Sequence, residues 1–390
     1  MIDFNFVSPT KIHFGKNAMS FLASEIGNKY QNVLVVYGQN SIKKNGVYDQ
    51  VIFQLNSAKV RYFELSGVRP NPEISKVKEG LKIVRENNVD LILAVGGGSV
   101  IDTAKSIAAS FYYDGDPFDL NLHKVQPANA LPLGVVLTIS ASGSELSDSC
   151  VVMNDETLVK QGFNSDIVRP LFAIMNPEFT YSVNKYQTGC GIVDIISHSL
   201  ERYFSPSGNL EISDSLALSI IKDTIEAGRI AIDNPNDYDA RAALMLLGAY
   251  SHNGLTSLGK AKQMPIHKME HALSAFDIRI AHGAGLSILI PLWMEASYKK
   301  DIDKFTRFAN EIFNVNESDK EKTALKGINL LREYFRSIGM PIRLSEVNVS
   351  QKDISKIVDM MFEDGTRMIG PSSINPLNKK DVSKLLESVL

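Results

Sequence analysis

Five of the seven histidines in this 390-residue chain fall between positions 198 and 282: His198, His252, His267, His271 and His282. Asp194 and His198 are four apart, and so are His267 and His271; His282 is followed by Gly283. Residues four apart share one face of a helix. A carboxylate grouped with several imidazoles suits a divalent first-row ion, Fe2+ or Zn2+. A lone Asp/His pair at this spacing is ordinarily a hydrogen bond on a helix surface. Two such pairs and a further histidine beside glycines shift the balance toward a metal site. His252 is expected in the core or next to the ligands.

A second group of residues suits an anion. Ala94-Val95-Gly96-Gly97-Gly98-Ser99-Val100-Ile101-Asp102 reads as a strand running through three glycines into a helix. Such a turn lets backbone come close to a phosphate, and the free N–H groups at the helix start attract it. Three glycines also serve as a plain tight turn, and this is not the GxGxxG fingerprint. Another strand end, Val36-Tyr37-Gly38-Gln39-Asn40-Ser41, occupies the place of an adenosine ribose in a doubly wound sheet. An acidic residue there would bond both ribose hydroxyls and repel a 2′-phosphate. None occurs before Asp49; Gly38, Ser41, Lys43 and Lys44 stand there instead. That favours NADP(H), with NAD(H) the lesser expectation, unless the two lysines are only a solvated helix face.

The elements around these residues divide the chain. Strands are expected over 32–37, 60–65, 90–95 and 133–139, with helices over 73–87 and 99–110 between them. Continuous apolar strands alternating with helices indicate a parallel sheet covered on both faces. Beyond Tyr181 the pattern turns helical, over 187–204, 210–231, 239–252, 262–275, 283–298, 301–313, 319–338 and 350–362. The expected fold is an α/β dinucleotide-binding domain, residues 1–182, and an all-helical metal-binding domain, residues 183–390. With 41 basic against 44 acidic residues, net charge −3, neither nucleic acid nor an anionic membrane is an expected partner. No apolar run is long enough to span a bilayer, and residues 1–6 lack the basic-then-apolar pattern of a signal peptide. Two cysteines without CxxC spacing fit a reducing, cytoplasmic setting.

Taken together, the GGGSxID stretch (Gly96 to Asp102), Ser142-Gly143-Ser144-Glu145, DxxxH, HxxxH and HG resemble the iron-containing alcohol dehydrogenases over nearly the whole chain. Residues 35–43 and 67–72 look like that family's NADPH-dependent butanol dehydrogenase branch. The resemblance implies dehydroquinate synthase-like architecture, with a metal in the cleft between the two domains. It implies metal ligands Asp194, His198, His267 and His282, and a catalytic His271 near the nicotinamide that helps relay protons. It places Asn71, Gly96, Gly97, Gly98, Ser99, Asp102, Thr138, Ser142 and Lys160 along the cofactor. It also implies a β-hairpin around Pro9–Lys16 and a homodimer. The implied activity is hydride transfer between NADP(H) and a small primary alcohol or aldehyde. Ser142 departs from the family's usual threonine but keeps a hydroxyl.

A dehydroquinate synthase-like lyase using NAD and a divalent ion is the alternative. Its anionic substrate would call on Lys260, Lys262, Lys268 and Arg279. A nucleotide or metal sensor without catalysis is a third reading. Phe163, Leu255, Met264 and Trp293 are candidates for an aliphatic substrate pocket, although apolar residues at helical spacing more often build core.

Overall fold

The computed structural model describes residues 2–206, 211–362 and 365–390. The chain forms two compact units. One comprises Val7–Val183 and Pro235–Ala249, the other Met1–Phe6, Asn184–Asn234 and Tyr250–Leu390.

The first unit holds strands β1 (Lys11–Phe14), β2 (Asn32–Tyr37), β3 (Arg61–Leu65), β4 (Leu91–Gly96), β5 (Leu133–Leu137), β6 (Ser149–Asn154), β7 (Val159–Asn164) and β8 (Phe172–Met175). Between them lie helices α1 (Leu22–Ile26), α2 (Ser41–Lys44), α3 (Val47–Ser57), α4 (Ile74–Glu86) and α5 (Gly98–Ser110). Six strands form one parallel sheet in the order β1-β8-β5-β4-β2-β3. Successive side chains on a strand point to opposite faces, and both faces here are buried. Leu34, Val36, Ile92, Ala94, Val135 and Leu137 pack into one core with α4 and α5. Val33, Val35, Leu91, Leu93, Val95 and Val136 pack into the other with α3. That is why the central strands read as unbroken apolar runs.

Two features of this unit differ from expectation. The N-terminal hairpin is corrected to a single edge strand: β1 pairs parallel with β8, Lys11 opposite Phe172 and Phe14 opposite Met175. After β1 the chain turns at Gly15 (φ +108°) into a short 3-10 helix, so no strand returns alongside it. An antiparallel hairpin does occur later, where β6 pairs with β7. Its turn is closed by the Asn154 carboxamide oxygen, which accepts from the N–H groups of Glu156 and Thr157.

The second unit is helical among its described residues: α6 (Lys185–Tyr203), α7 (Glu211–Asp233), the end of α8 (Tyr238–His252), α9 (Pro265–Phe276), α10 (His282–Ser297), α11 (Ile302–Phe313), α12 (Lys320–Ser337), α13 (Gln351–Met361) and α14 (Lys379–Glu387). Residue 210, expected to open α7, lies outside the described residues. The helix expected from 262 starts at Pro265, which suits a first helical position because its φ is already fixed. A parallel-sheet unit and a helical unit are the two parts of a dehydroquinate synthase-like fold. Among the described residues, no helix is long and apolar enough to cross a membrane.

Candidate functional site

In the α/β unit the glycine turn and its neighbours sit at adjacent strand ends. Tyr37 of β2 pairs with Val95 of β4, and Gly96 with Leu137 of β5. Gly38, Gly97 and Thr138 therefore follow three neighbouring strands at one edge, and the Thr138 N–H donates to the Gly96 carbonyl (3.1 Å). No side chain caps α5, so its amino end stays available for an anion. The glycines are there for space. A Cβ on Gly97 would stand 2.0 Å from the Ile139 methyl, and one on Gly98 2.4 Å from the Ser142 hydroxyl oxygen. Ser142 thus lies directly against the start of α5.

Lys160, on β7, donates to the Asn71 side-chain oxygen (2.9 Å), which joins two expected cofactor residues 89 positions apart. Asn71 is buried and sits in the left-handed region (φ +57°). The β6–β7 hairpin is tied to this turn by the Met153 N–H, which donates to the Pro72 carbonyl (2.8 Å). Asp102 faces inward from α5. One carboxylate oxygen accepts from the Ser144 hydroxyl (2.6 Å) and the other from the Val151 N–H (3.1 Å). One turn on, the buried Lys105 ammonium donates to the carbonyls of Ser147 and Ser149 (2.8 Å each). This pair clamps the 144–151 segment, which carries Ser142 at its approach.

Ser41 opens α2 just beyond Gly38. The Lys43 ammonium lies 5.2 and 4.6 Å from the Tyr37 and Tyr48 ring centres. Glu64 of β3 accepts from both phenols, Tyr37 at 2.5 Å and Tyr48 at 2.8 Å.

Glu145 is buried beside the clamp, and burial pushes its carboxyl up to about 7. A carboxyl whose folded pKa exceeds its unfolded value costs stability as pH rises between the two values, here from about 4.5 to 7. Glu145→Gln is therefore expected to gain stability over the parent across that window, by about 3 kcal/mol at most. Thermal unfolding of both proteins at pH 5 and pH 8 checks this. An equal difference at the two pH values would show that the carboxyl ionises in the fold as it does in water.

In the helical unit, α6, α9, α10 and the end of α8 bring the five histidines together. Asp194 and His198 lie on successive turns of α6, His267 and His271 on successive turns of α9, and His282 opens α10. One oxygen of Asp194 is the meeting point. His198 Nδ1 lies 3.5 Å from it, and the Nε2 atoms of His267 and His282 lie 3.6 Å from it. Asp194, His267 and His282 offer ligand atoms that are all within 4.8 Å of one another; His198 adjoins this trio. Two ligands of a tetrahedral ion with bonds of 2.0–2.2 Å stand roughly 3.3–3.6 Å apart. Asp194 Oδ1, His198 Nδ1 and His267 Nε2 are buried without hydrogen-bond partners. Buried polar atoms are otherwise almost always satisfied. A divalent ion fits this donor set.

The far sides of two rings are held by residues that the sequence reading missed. His267 Nδ1–H donates to Glu201 of α6, and His282 Nδ1–H donates to Glu270 of α9. The spacing carried a signal: Glu201 is seven residues beyond Asp194 and three beyond His198, and Glu270 is three beyond His267. Burial would lower the His267 pKa, but Glu201 and Asp194 together lift it to about 9. His198 goes the other way, well below the ordinary value, through burial and the neighbouring His252 and His267. The His252 ring lies tilted by 53° against His198, with ring centres 4.0 Å apart. The His271 ring centre is 6.5 Å from His267 and 5.9 Å from His282.

The suggested pocket residues Phe163 and Trp293 are core. Phe163 belongs to the α4–α5 side of the sheet, and Trp293 packs near Phe204. Three of the four bases that a phosphate substrate would call on are engaged elsewhere, and Lys262 is exposed. Lys260 is buried against Asp214 and the Arg202 carbonyl, Lys268 donates to Thr366, and Arg279 pairs with Asp277.

Comparison with known proteins agrees with this geometry. Residues 9–177 match the family model for iron-containing alcohol dehydrogenase, and residues 188–390 match the C-terminal model of the same family. The chain is 40% identical to the NADH-dependent butanol dehydrogenase A of Clostridium acetobutylicum, over 99% of each chain. It is 34% identical to the NADPH-dependent aldehyde reductase YqhD of Escherichia coli, over 95% of each. The crystal structure of NADH-dependent butanol dehydrogenase A from Thermotoga maritima is similar with a TM-score of 0.95 at 38% identity, covering 100% of this chain and 99% of that one. With a dinucleotide-type sheet edge, a carboxylate–imidazole cluster on separate helices and matches over both halves, the chain belongs to the iron-containing alcohol dehydrogenase family and is an oxidoreductase of the alcohol–aldehyde class.

Proposed function

We propose that this enzyme transfers hydride between NADP(H) and a small primary alcohol or aldehyde, of the size of butanol or butanal, and depends on a divalent ion. The observation that carries the proposal is the convergence of three imidazole nitrogens on one oxygen of Asp194 at 3.5–3.6 Å. Asp194, His198, His267 and His282 would hold the ion, which as Fe2+ or Zn2+ supplies Lewis acidity toward a carbonyl oxygen. Burial of Asp194, His198 and His267 keeps water from three of the donors, and His282 is partly exposed at the rim of the set. His271, one turn beyond His267, holds and passes the proton that balances hydride transfer. Gly38, Ser41, Asn71, Gly96 to Ser99, Thr138, Ser142 and Lys160 bind the dinucleotide, with Asp102 bracing the 144–151 segment.

NADP(H) follows from charge. No acidic residue lies between Tyr37 and Asp49. Glu64, the carboxylate that meets Tyr37, is engaged by two phenols. Ser41 and Lys43, whose ammonium rests over the Tyr37 and Tyr48 rings, would take the 2′-phosphate. NADH is the second reading, favoured by the names of the Clostridium and Thermotoga relatives.

Metal-loaded protein, assayed with C2–C6 aldehydes, is expected to oxidise NADPH with a kcat/KM about tenfold above that for NADH. The reverse order would overturn the cofactor assignment, and no oxidation of either would overturn the function. His271→Ala is expected to keep its metal while kcat falls about 100-fold. Loss of metal in that variant would make His271 a ligand.

A further inference from the structure

Glu201 and Glu270 do no chemistry in the reaction as described, yet both carboxylates are fully buried. Burying a carboxylate is costly unless its oxygens are bonded. Glu201 spends one oxygen on the Ile266 N–H (2.6 Å) and the other on His267 Nδ1–H. Glu270 takes His282 Nδ1–H. In each case the opposite nitrogen, Nε2, is the one 3.6 Å from Asp194. His198 differs: its Nδ1 is turned toward Asp194, and the ring leans on His252.

We propose that Glu201 and Glu270 are positioning residues that fix the Nδ1–H tautomer of His267 and His282, so that both rings present a basic Nε2 to the metal. The inference rests on the metal reading above and assigns two residues to it. An imidazole that donates through one nitrogen is a stronger ligand through the other, and its ring cannot turn away. Glutamine does not substitute at 201. Two N–H donors converge there, and a carboxamide has one acceptor oxygen; its NH2 would face either the Ile266 amide or the ring. The glycine pattern supports the same role for Glu270. A Cβ on Gly285 would lie 2.8 Å from Glu270 Cγ and 3.2 Å from its Oε1. The second glycine of His282-Gly283-Ala284-Gly285 thus clears the place in which Glu270 reaches His282.

The test uses full-length protein stripped of metal and titrated with Co2+, whose visible absorption reports ligand geometry. Wild type, Glu201→Gln, Glu270→Gln, Gly285→Ala and His267→Ala are compared, with 15N-histidine spectra to read the tautomers. Glu201→Gln and Glu270→Gln are expected to weaken Co2+ binding 10- to 100-fold and to change the absorption bands. NADP(H) affinity is expected to stay within about twofold. In the zinc-loaded proteins, where the ligating imidazoles carry one proton each, the 15N spectrum of each glutamine variant should show a weakened Nδ1–H hydrogen bond at the ring that lost its carboxylate. Gly285→Ala, which leaves both carboxylates in the chain, should reproduce the Glu270→Gln spectrum in part and decides the matter if a glutamine variant fails to fold. Wild-type affinity and bands in the glutamine variants would overturn the proposal. Failure of wild type to bind one Co2+, or binding that survives His267→Ala, would overturn the metal reading beneath it.

Discussion

His267→Ala is expected to leave a folded protein with little or no bound metal and at least about 1,000-fold less activity. The argument starts from the donor count. His267 supplies one of three nitrogens that face the Asp194 oxygen, and it bridges α9 to both Asp194 and Glu201 of α6. Without it, Asp194, His198 and His282 remain, one donor short of a closed set. A Lewis acid contributes several kcal/mol to the transition state of carbonyl reduction. At about 1.4 kcal/mol per decade, that is about 1,000-fold or more in rate. The α/β unit carries the glycine turn, so NADP(H) affinity should stay within about twofold of wild type. Elemental analysis, NADPH fluorescence titration and kcat/KM read the three quantities separately. Wild type stripped by a chelator should match the variant and recover when metal is restored, whereas the variant should not. Full activity in a metal-free His267→Ala protein would end the metal mechanism.

The sheet was legible because its strands are buried on both faces. Val33-Leu34-Val35-Val36 and Leu91-Ile92-Leu93-Ala94 can be little else than inner parallel strands, and β2 and β4 are neighbours. The edge was not legible for the same reason. β1 has only four residues, partly exposed, and Lys11 and His13 are polar. Its pairing with β8 depends on a strand about 160 positions away. The β6–β7 hairpin was hidden too. Its register comes from an Asn154 turn, and Lys160 and Gly162 blur the apolar alternation. Missing the hairpin is why Lys160 had no visible partner, although it reaches Asn71.

The metal cluster was legible because ligand chemistry uses few residue types and helices give them a fixed period. Asp194 with His198, and His267 with His271, are readable from spacing alone. Which nitrogen each ring presents was not, because that depends on what lies behind the ring. Glu201 and Glu270 look like ordinary helix-surface glutamates until α6, α9 and α10 are packed together. The lysines and arginine that kept a lyase in view are a similar case. Their charge is visible in the sequence, but Lys260's partner Asp214 lies 46 positions away, on α7.

The same packing makes Gly283 the most sensitive small residue of the site. A Cβ there would stand 2.3 Å from the Cys190 carbonyl oxygen and 2.5 Å from the Cys190 Cα. These are backbone atoms inside α6, so no rotamer change can relieve the contact. Gly283→Ala must push α10 away from α6 by about 1 Å to restore ordinary carbon–oxygen separation. His282 precedes Gly283 on α10, and Asp194 follows Cys190 by one turn on α6. The shift therefore falls on their 3.6 Å approach. Metal ligand distances tolerate only about 0.2 Å. We expect Gly283→Ala to lose about 1–3 kcal/mol of stability, as overpacked sites do, and at least about tenfold in metal affinity. Thermal unfolding of the metal-free protein and a Co2+ titration measure the two. Wild-type values in both would mean that α10 does not rest on the α6 backbone at this point. Loss of stability with unchanged affinity would mean that His282 follows Asp194 through the shift, and that helix seating and ligand aim are separate.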